Sequence, residues 1–217
     1  MGEAAEEGPP LSRGAEASIR LVDWLGFPAL LKARDAKSYR PKALDDRLRS
    51  ERTRTEARLL FDARRLGVRT PILYDIDLVQ HRIVMERLPG ATLKQLLEGS
   101  NGEREPLLTP MRTFGEAIGR LHAGGISHGD LTSSNVLFPE GPEGPPAFLD
   151  LSMGSRNAAL EDMGIDLHLV EEDLKGLHPK GPLLFRTFLE GYAEGNAPGH
   201  EKVEARAKEI RGRVRYA

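Results

Sequence analysis

Cysteine is absent from all 217 residues, so the chain carries no disulfide and no thiolate metal site, and its redox compartment stays open. No apolar run approaches the length needed to span a bilayer. The start, Met1-Gly2-Glu3-Ala4-Ala5-Glu6, lacks the apolar core of a signal peptide, and Glu6 breaks the myristoylation pattern, which wants Ser or Thr there. A cytoplasmic protein with no membrane attachment is the expectation. Neither sign of charge dominates, with a net charge of -2. Aromatic residues are few at 6%, and none reads as interleaved with the basic clusters, which leaves base stacking unsupported. Internal repeats are missing too. What remains, 39% hydrophobic and 29% charged, suits one globular domain or two small lobes sharing a cleft.

Against that background one stretch stands out. His128-Gly129-Asp130-Leu131-Thr132-Ser133-Ser134-Asn135, followed by Asp150, has the spacing of a kinase catalytic loop with its downstream metal aspartate. Phosphoryl transfer asks the protein for a carboxylate that orients the attacking hydroxyl and for oxygen ligands that hold magnesium against the nucleotide phosphates. Asp130 fits the first role, Asn135 and Asp150 the second. Val136-Leu137-Phe138 and Ala147-Phe148-Leu149 are short apolar runs separated by a Pro- and Gly-rich segment that must turn. Paired as a hairpin, they bring Asn135 and Asp150 together at the open end.

Upstream, Ile19 to Val22 and Ala29 to Lys32 read as two strands joined by a turn that starts at Asp23. The second ends in Lys32, as a phosphate-binding strand lysine would. A long helix from about Leu44 to Leu66 follows, with Gly67 as its stop signal. Glu56 lies four residues before Leu60, about 40° round the helix, and borders the apolar side, whereas Glu51 lies about 180° away and faces water. Glu56 is therefore the partner for Lys32. Leu11-Ser12-Arg13-Gly14-Ala15-Glu16-Ala17 stands where a glycine-rich phosphate loop belongs but has a single glycine.

Further along, Pro71 to Ile76 and Arg82 to Glu86 read as strands, Leu88-Pro89-Gly90 as a hinge, and the remainder as mostly helical. The divisions expected are a loose acidic tail over 1–10, an N-terminal lobe over 11–87, a C-terminal lobe over 88–210 and a basic tail over 211–217. The histidines His122 and His128 read as packing and bracing groups, and no other ligand cluster is evident. Asp166 opens a helical run as a brace or a cap. Arginines crowd the long helix and its exit (Arg47, Arg49, Arg52, Arg54, Arg58, Arg64, Arg65 and Arg69), and basic residues crowd the C-terminal end (Lys202, Arg206, Lys208, Arg211, Arg213 and Arg215), as solvated faces or as a phosphate-binding surface.

Taken in order, these segments resemble the small atypical serine/threonine kinase/ATPase of the KEOPS complex. The match runs from Leu11 to Arg215 and includes Ser38-Tyr39-Arg40-Pro41, Arg52-Thr53-Arg54-Thr55-Glu56-Ala57-Arg58, the catalytic loop, Leu177-His178-Pro179 and Ile210-Arg211-Gly212-Arg213. The resemblance implies an α+β, trimmed protein-kinase-like fold. A small antiparallel N-lobe sheet with one long helix would sit on a reduced, mostly helical C-lobe. It implies ATP and Mg as cofactors, with Asp130 as proton acceptor, Lys32 on the phosphates, Glu56 as its partner, and Asn135 and Asp150 on the metal. Residues 11–17 would cover the nucleotide. Met85, Glu86 and Leu88 would form the adenine hinge, Asp166 would brace the catalytic loop, and Arg211, Arg213 and Arg215 would reach tRNA. In that family the complex installs threonylcarbamoyladenosine on tRNA. The kinase binds the threonylcarbamoyl-transferase subunit and a small regulatory subunit, and its ATP hydrolysis supports the modification.

Two departures carry consequences. Gly129 replaces the arginine that clasps a phosphorylated activation loop, and no A-P-E segment follows, so activation by loop phosphorylation is not expected. Asp150-Leu151-Ser152 stands in place of D-F-G, which puts in/out switching of that segment in doubt. An aminoglycoside-kinase type shares the H-G-D loop but needs a larger C-terminal lobe. A catalytically dead adaptor has no reason to keep Lys32, Glu56, Asp130, Asn135 and Asp150.

Overall fold

The computed structural model describes residues 10–13, 17–100 and 107–214. Strands β1 (Pro10–Arg13), β2 (Ser18–Trp24), β3 (Phe27–Ala33), β4 (Leu73–Asp77) and β5 (Arg82–Glu86) form an antiparallel sheet in the order β1-β2-β3-β5-β4. The expected lysine hairpin is β2–β3. Its two-residue turn holds Leu25 and Gly26 at φ of 55° and 85°, the left-handed pair that matches strand twist, and Gly26 N donates to Asp23 Oδ1 at 2.8 Å.

Alternation along β3 sorts the sheet's two faces. Ala29 and Leu31 pack with Val22 and Val84 on one side. Leu30 packs with Ile83 and Met85 on the other, and Lys32 shares that side by the period of two.

Against this second face lies α1 (Lys42–Arg65), whose buried residues Thr53, Glu56, Ala57, Leu60 and Ala63 recur at three- and four-residue spacing. Ala57 joins the sheet cluster, while Leu59, Leu60 and Ala63 join the main core below. One helix therefore serves both halves of the molecule. Gly67, at φ of +75°, follows its end as the sequence predicts.

The remainder is helical, with α2 (Leu93–Gly99), α3 (Leu108–Ala123), α4 (Leu160–Leu177), α5 (Gly181–Gly195) and α6 (His200–Val214). Thr92 and Gln95 close a reciprocal capping box on α2. Helices α3 and α5 pack backbone to backbone. A Cβ on Gly115 would stand 1.9 Å from Phe188 O, and one on Gly191 would stand 2.0 Å from Arg112 O. That approach brings Phe114 against Phe188, ring centroids 4.8 Å apart and planes tilted by 55°, in the core.

Short strands β7 (Ile126–Ser127) and β10 (Ser155–Arg156) pair, as do β6 (Ala91–Thr92), β8 (Val136–Phe138) and β9 (Ala147–Phe148). Among the described residues no helix is long and apolar enough to cross a membrane.

Two expectations need correction. The basic tail expected over 211–217 does not begin as a separate segment at Arg211, because α6 runs through Gly212 to Val214. Arg211 is tied to Glu171 at 2.6 Å and Arg213 to Glu161 at 3.0 Å, so tertiary ion pairs hold the last turn. Asp166 is not a cap of its own helix. It lies well inside α4, which starts at Leu160, where Asp162 accepts from Ala159 N at 2.9 Å. Gly14, Ala15, Glu16 and Arg215 lie outside the described residues, as does most of the expected N-terminal tail.

Candidate active site

Lys32 sits at the centre of a buried charge cluster. Its Nζ lies 2.6 Å from Glu56 Oε1 and 2.9 Å from Asp150 Oδ1, so strand, helix and downstream loop meet on one ammonium. The other oxygen of Glu56 is taken by Arg34 Nη2 at 2.5 Å. Arg34 stands two residues beyond Lys32, one residue past the end of β3, hence on the same face, and is as buried as Lys32. Two cations and two carboxylates cancel, which makes burial of the set tolerable. Glu56 is thus held by both oxygens, and α1 is clamped to β3 by two independent bonds. The sequence reading named Lys32 and Glu56 and missed Arg34.

Asp150 is reached through the β8–β9 hairpin. Val136 pairs with Phe148, and Leu149 N donates to Asn135 O at 2.9 Å, so Asn135 and Asp150 leave the open end side by side as expected. Asp150 adopts φ of 54°, and Leu151 after it is fully buried in the main core. Burial pulls its pKa upward, but the Lys32 ammonium and hydrogen bonds from Ser152 and Lys32 outweigh that, holding the carboxyl down at about 2. It is a carboxylate at any working pH.

The catalytic loop is supported from behind. Asp166, buried on α4, accepts from His128 N at 2.6 Å and Gly129 N at 2.8 Å. His122 Nε2 reaches the same carboxylate at 3.2 Å, its Nδ1 lies 2.9 Å from Tyr192 Oη, and Asn196 Nδ2 donates to that hydroxyl at 3.0 Å. A buried chain therefore runs from the loop amides to the end of α5. Two helical turns further, Asp173 accepts from Ser133 N at 2.7 Å, a second brace that the sequence reading missed.

His128 is fully buried, and burial lowers its pKa despite the acids nearby, so a neutral ring accepts from Asp130 N at 3.3 Å. Both histidines are bracing groups, as read from the sequence. Asp130 itself is exposed. Asn135 Nδ2 donates to Asp130 O at 2.8 Å and to Asp130 Oδ2 at 3.2 Å, bonds that do not use the amide oxygen of Asn135.

Gly129 has a local cause. At φ of +81°, a Cβ there would stand 2.0 Å from Met153 O, and a Cβ on Gly154 would stand 2.4 Å from Ser127 O. The segment after Asp150 is pressed onto the catalytic loop, and the glycine missing next to Asp150 is supplied at 154. Arginine at position 129 has no room. At the hinge, Glu86 N donates to Ile72 O at 2.8 Å and Met85 is buried with Ile83 and Leu30. Leu11 lies on edge strand β1, whose Arg13 pairs with Ser18.

A donor set of carboxylates and an amide oxygen fits a hard cation such as magnesium. A second cluster, His168, Glu171 and Glu172 on α4, does not call for one. Glu171 is matched by Arg211 and Lys175, and Glu172 by Lys175, whose hydrogen bond lowers its pKa.

No family model matches the chain. Among curated proteins it is 37% identical to the KEOPS complex subunit Bud32 of Pyrococcus abyssi, over 94% of this chain and 96% of that one. The chain belongs to the Bud32 family. It is also 38% identical to the "Probable bifunctional tRNA threonylcarbamoyladenosine biosynthesis protein" of Methanothermobacter thermautotrophicus and 39% identical to the protein of that description from Methanoculleus marisnigri, over 99% of its own length in each case. The chain spans 38% of the length of those two relatives. Among solved structures, the Rio2 kinase–ADP/Mg2+–phosphoaspartate complex from Chaetomium thermophilum superposes with a TM-score of 0.64 at 17% identity, covering 95% of this chain and 71% of that one. The Bud32-family chain has a protein-kinase-like α+β fold.

Proposed function

We propose that this chain is an ATP-dependent atypical serine/threonine kinase/ATPase that acts in a KEOPS-type complex in the cytoplasm and supports threonylcarbamoyladenosine modification of tRNA. The observation that carries the reading is Lys32 held between Glu56 at 2.6 Å and Asp150 at 2.9 Å, beside the Asp130–Asn135 loop. The relatives' names supply the tRNA modification and the complex, whose transferase and small regulatory subunits would be its partners.

In this reading Lys32 leaves Asp150 for the nucleotide phosphates, and Arg34 keeps Glu56 and α1 in place while it does. Asp150 and the amide oxygen of Asn135 would hold magnesium, which would neutralise charge on the transferring phosphates. Asp130 orients the attacking oxygen and accepts its proton, whether the acceptor is a protein hydroxyl or water. Asp166 and Asp173 act through the loop backbone. They fix where Asp130 stands. Backbone groups of Glu86 and Leu88 take the adenine, and residues 11–17 cover the phosphates.

The test is ATP turnover by the purified chain, alone and with the transferase subunit and tRNA added. Magnesium-dependent turnover that rises on adding both is expected. Turnover absent under every combination overturns the proposal.

A further inference from the structure

The arginines of α1 are not equivalent. Arg49 is spent on Asp45 and Asp46, at 2.8 and 2.6 Å, and Arg47 on Glu51 at 2.8 Å. Arg64 donates to Thr70 O. Among the described residues, Arg54, Arg58 and Arg65 make no hydrogen bond or ion pair and are exposed. The acids beside them are already neutralised by other cations, Glu51 by Arg47 and Asp62 by Arg156 at 2.9 Å.

At 100° per residue, these three arginines fall within about 60° of one another and of Phe61 on the solvent side of the helix. Phe61 is 59% exposed, an apolar ring left in water among cations. From Arg54 to Arg65 the stripe runs about 16 Å, the axial reach of roughly five phosphates of one strand.

We propose that this outer stripe of α1 (Arg54, Arg58, Phe61 and Arg65) is a docking surface for RNA, with the arginines on phosphates and Phe61 stacked on an unpaired base. The choice of RNA over an acidic protein surface comes from the ring. Uncompensated arginines suit any polyanion, but an exposed aromatic between them suits one that presents flat bases. The C-terminal arginines are weaker candidates, since Arg211 and Arg213 are paired with Glu171 and Glu161. The inference rests on the tRNA-linked reading above and adds the surface that would meet the RNA.

The experiment is fluorescence-anisotropy titration of a labelled tRNA transcript into the full chain between about 50 and 200 mM salt. The triple variant Arg54→Gln/Arg58→Gln/Arg65→Gln is expected to flatten the slope of log affinity against log salt by about two units. Phe61→Ala is expected to weaken binding roughly five- to 150-fold while leaving that slope unchanged. Both variants keep wild-type melting temperature and basal ATP turnover, because none of the four side chains touches the site. Failure of the kinase/ATPase reading therefore shows in turnover, and failure of this one in RNA affinity alone. Unchanged affinity and slope in both variants overturns the proposal. So does a triple variant that loses tRNA and poly-L-glutamate equally while Phe61→Ala binds tRNA as wild type does, the behaviour of a face built for an acidic protein.

Discussion

The two sides of the cleft are held by different forces. Around Lys32, position is set by buried charges in contact, with Glu56 shared between Lys32 and Arg34 and Asp150 on the far side of the ammonium. Around Asp130, position is set by backbone amides bound to the buried carboxylate of Asp166 and the half-buried one of Asp173, and the carboxylate of Asp130 faces solvent. In the proposed reading a phosphate group replaces Asp150 on Lys32 without disturbing α1, and an acceptor approaches Asp130 without disturbing its braces. That reading makes the charged half the one that exchanges partners and the amide-held half the one that stays still.

The largest effect belongs to the still half. Asp130→Asn removes the proton acceptor and keeps the shape, so turnover should fall at least about a hundredfold with folding and nucleotide binding preserved. Steady-state ATP hydrolysis and nucleotide titration of the variant measure both halves of that statement. Wild-type turnover in this variant would move the base elsewhere.

Next comes the charged half. Arg34→Met strips one cation from a buried carboxylate, which costs about 3–5 kcal/mol when the partner stays charged and buried. Urea unfolding should show that loss, and the Michaelis constant for ATP should rise, because Lys32 alone must then anchor Glu56. A variant as stable as wild type would mean that Arg34 is spare and that α1 is held by Lys32.

Asp166→Asn tests the braces. One acceptor oxygen becomes a donor facing buried amides, an expected loss of about 1–3 kcal/mol. The same change should lower kcat more than it alters the ATP Michaelis constant, since the loop moves and the lysine cluster does not. Equal change in both parameters would show that the two halves are coupled.

The smallest effect is in pH. The folded-state pKa of Asp150 lies below its ordinary value of 3.8, at about 2. Its contribution is present above the ordinary value and is lost as pH falls through the folded one. With 40% of its side chain exposed, screening leaves about 1 kcal/mol or less. Acid unfolding of wild type should steepen over that window relative to Asp150→Asn, and matching curves would show that the Lys32 pair adds nothing.

Much of the cleft was legible from spacing alone. The β2–β3 hairpin, the side of α1 that carries Glu56 and the hairpin that joins Asn135 to Asp150 all follow from periods of 2 and 3.6 and from turn residues. Arg34 was equally legible, since period two puts it beside Lys32, but a strand-end arginine gives no sign of burial until the helix is docked. Asp166 and Asp173 lie two helical turns apart on α4. Their shared side was hidden because Ala159, and not Ser, Thr, Asn or Asp, stands immediately before Leu160, so nothing marks the helix start. The tail expected from 211 starts too early, because ion pairs to α4 hold the last turn of α6 past Gly212, a weak helix former. The reading that no aromatic interleaves with the basic clusters missed Phe61, which lies among the arginines of α1 and is exposed while Leu59 and Leu60 take the core.

The most direct test of the central claim, that Asp150 meets the nucleotide through a metal ion while Lys32 meets it directly, is isothermal titration of ATP into wild type and Asp150→Ala with and without magnesium. Affinity in magnesium should fall in the variant far more than affinity without it, because the lost carboxylate acts only through the cation. Equal losses in both conditions would contradict the account and leave Asp150 as a structural partner of Lys32.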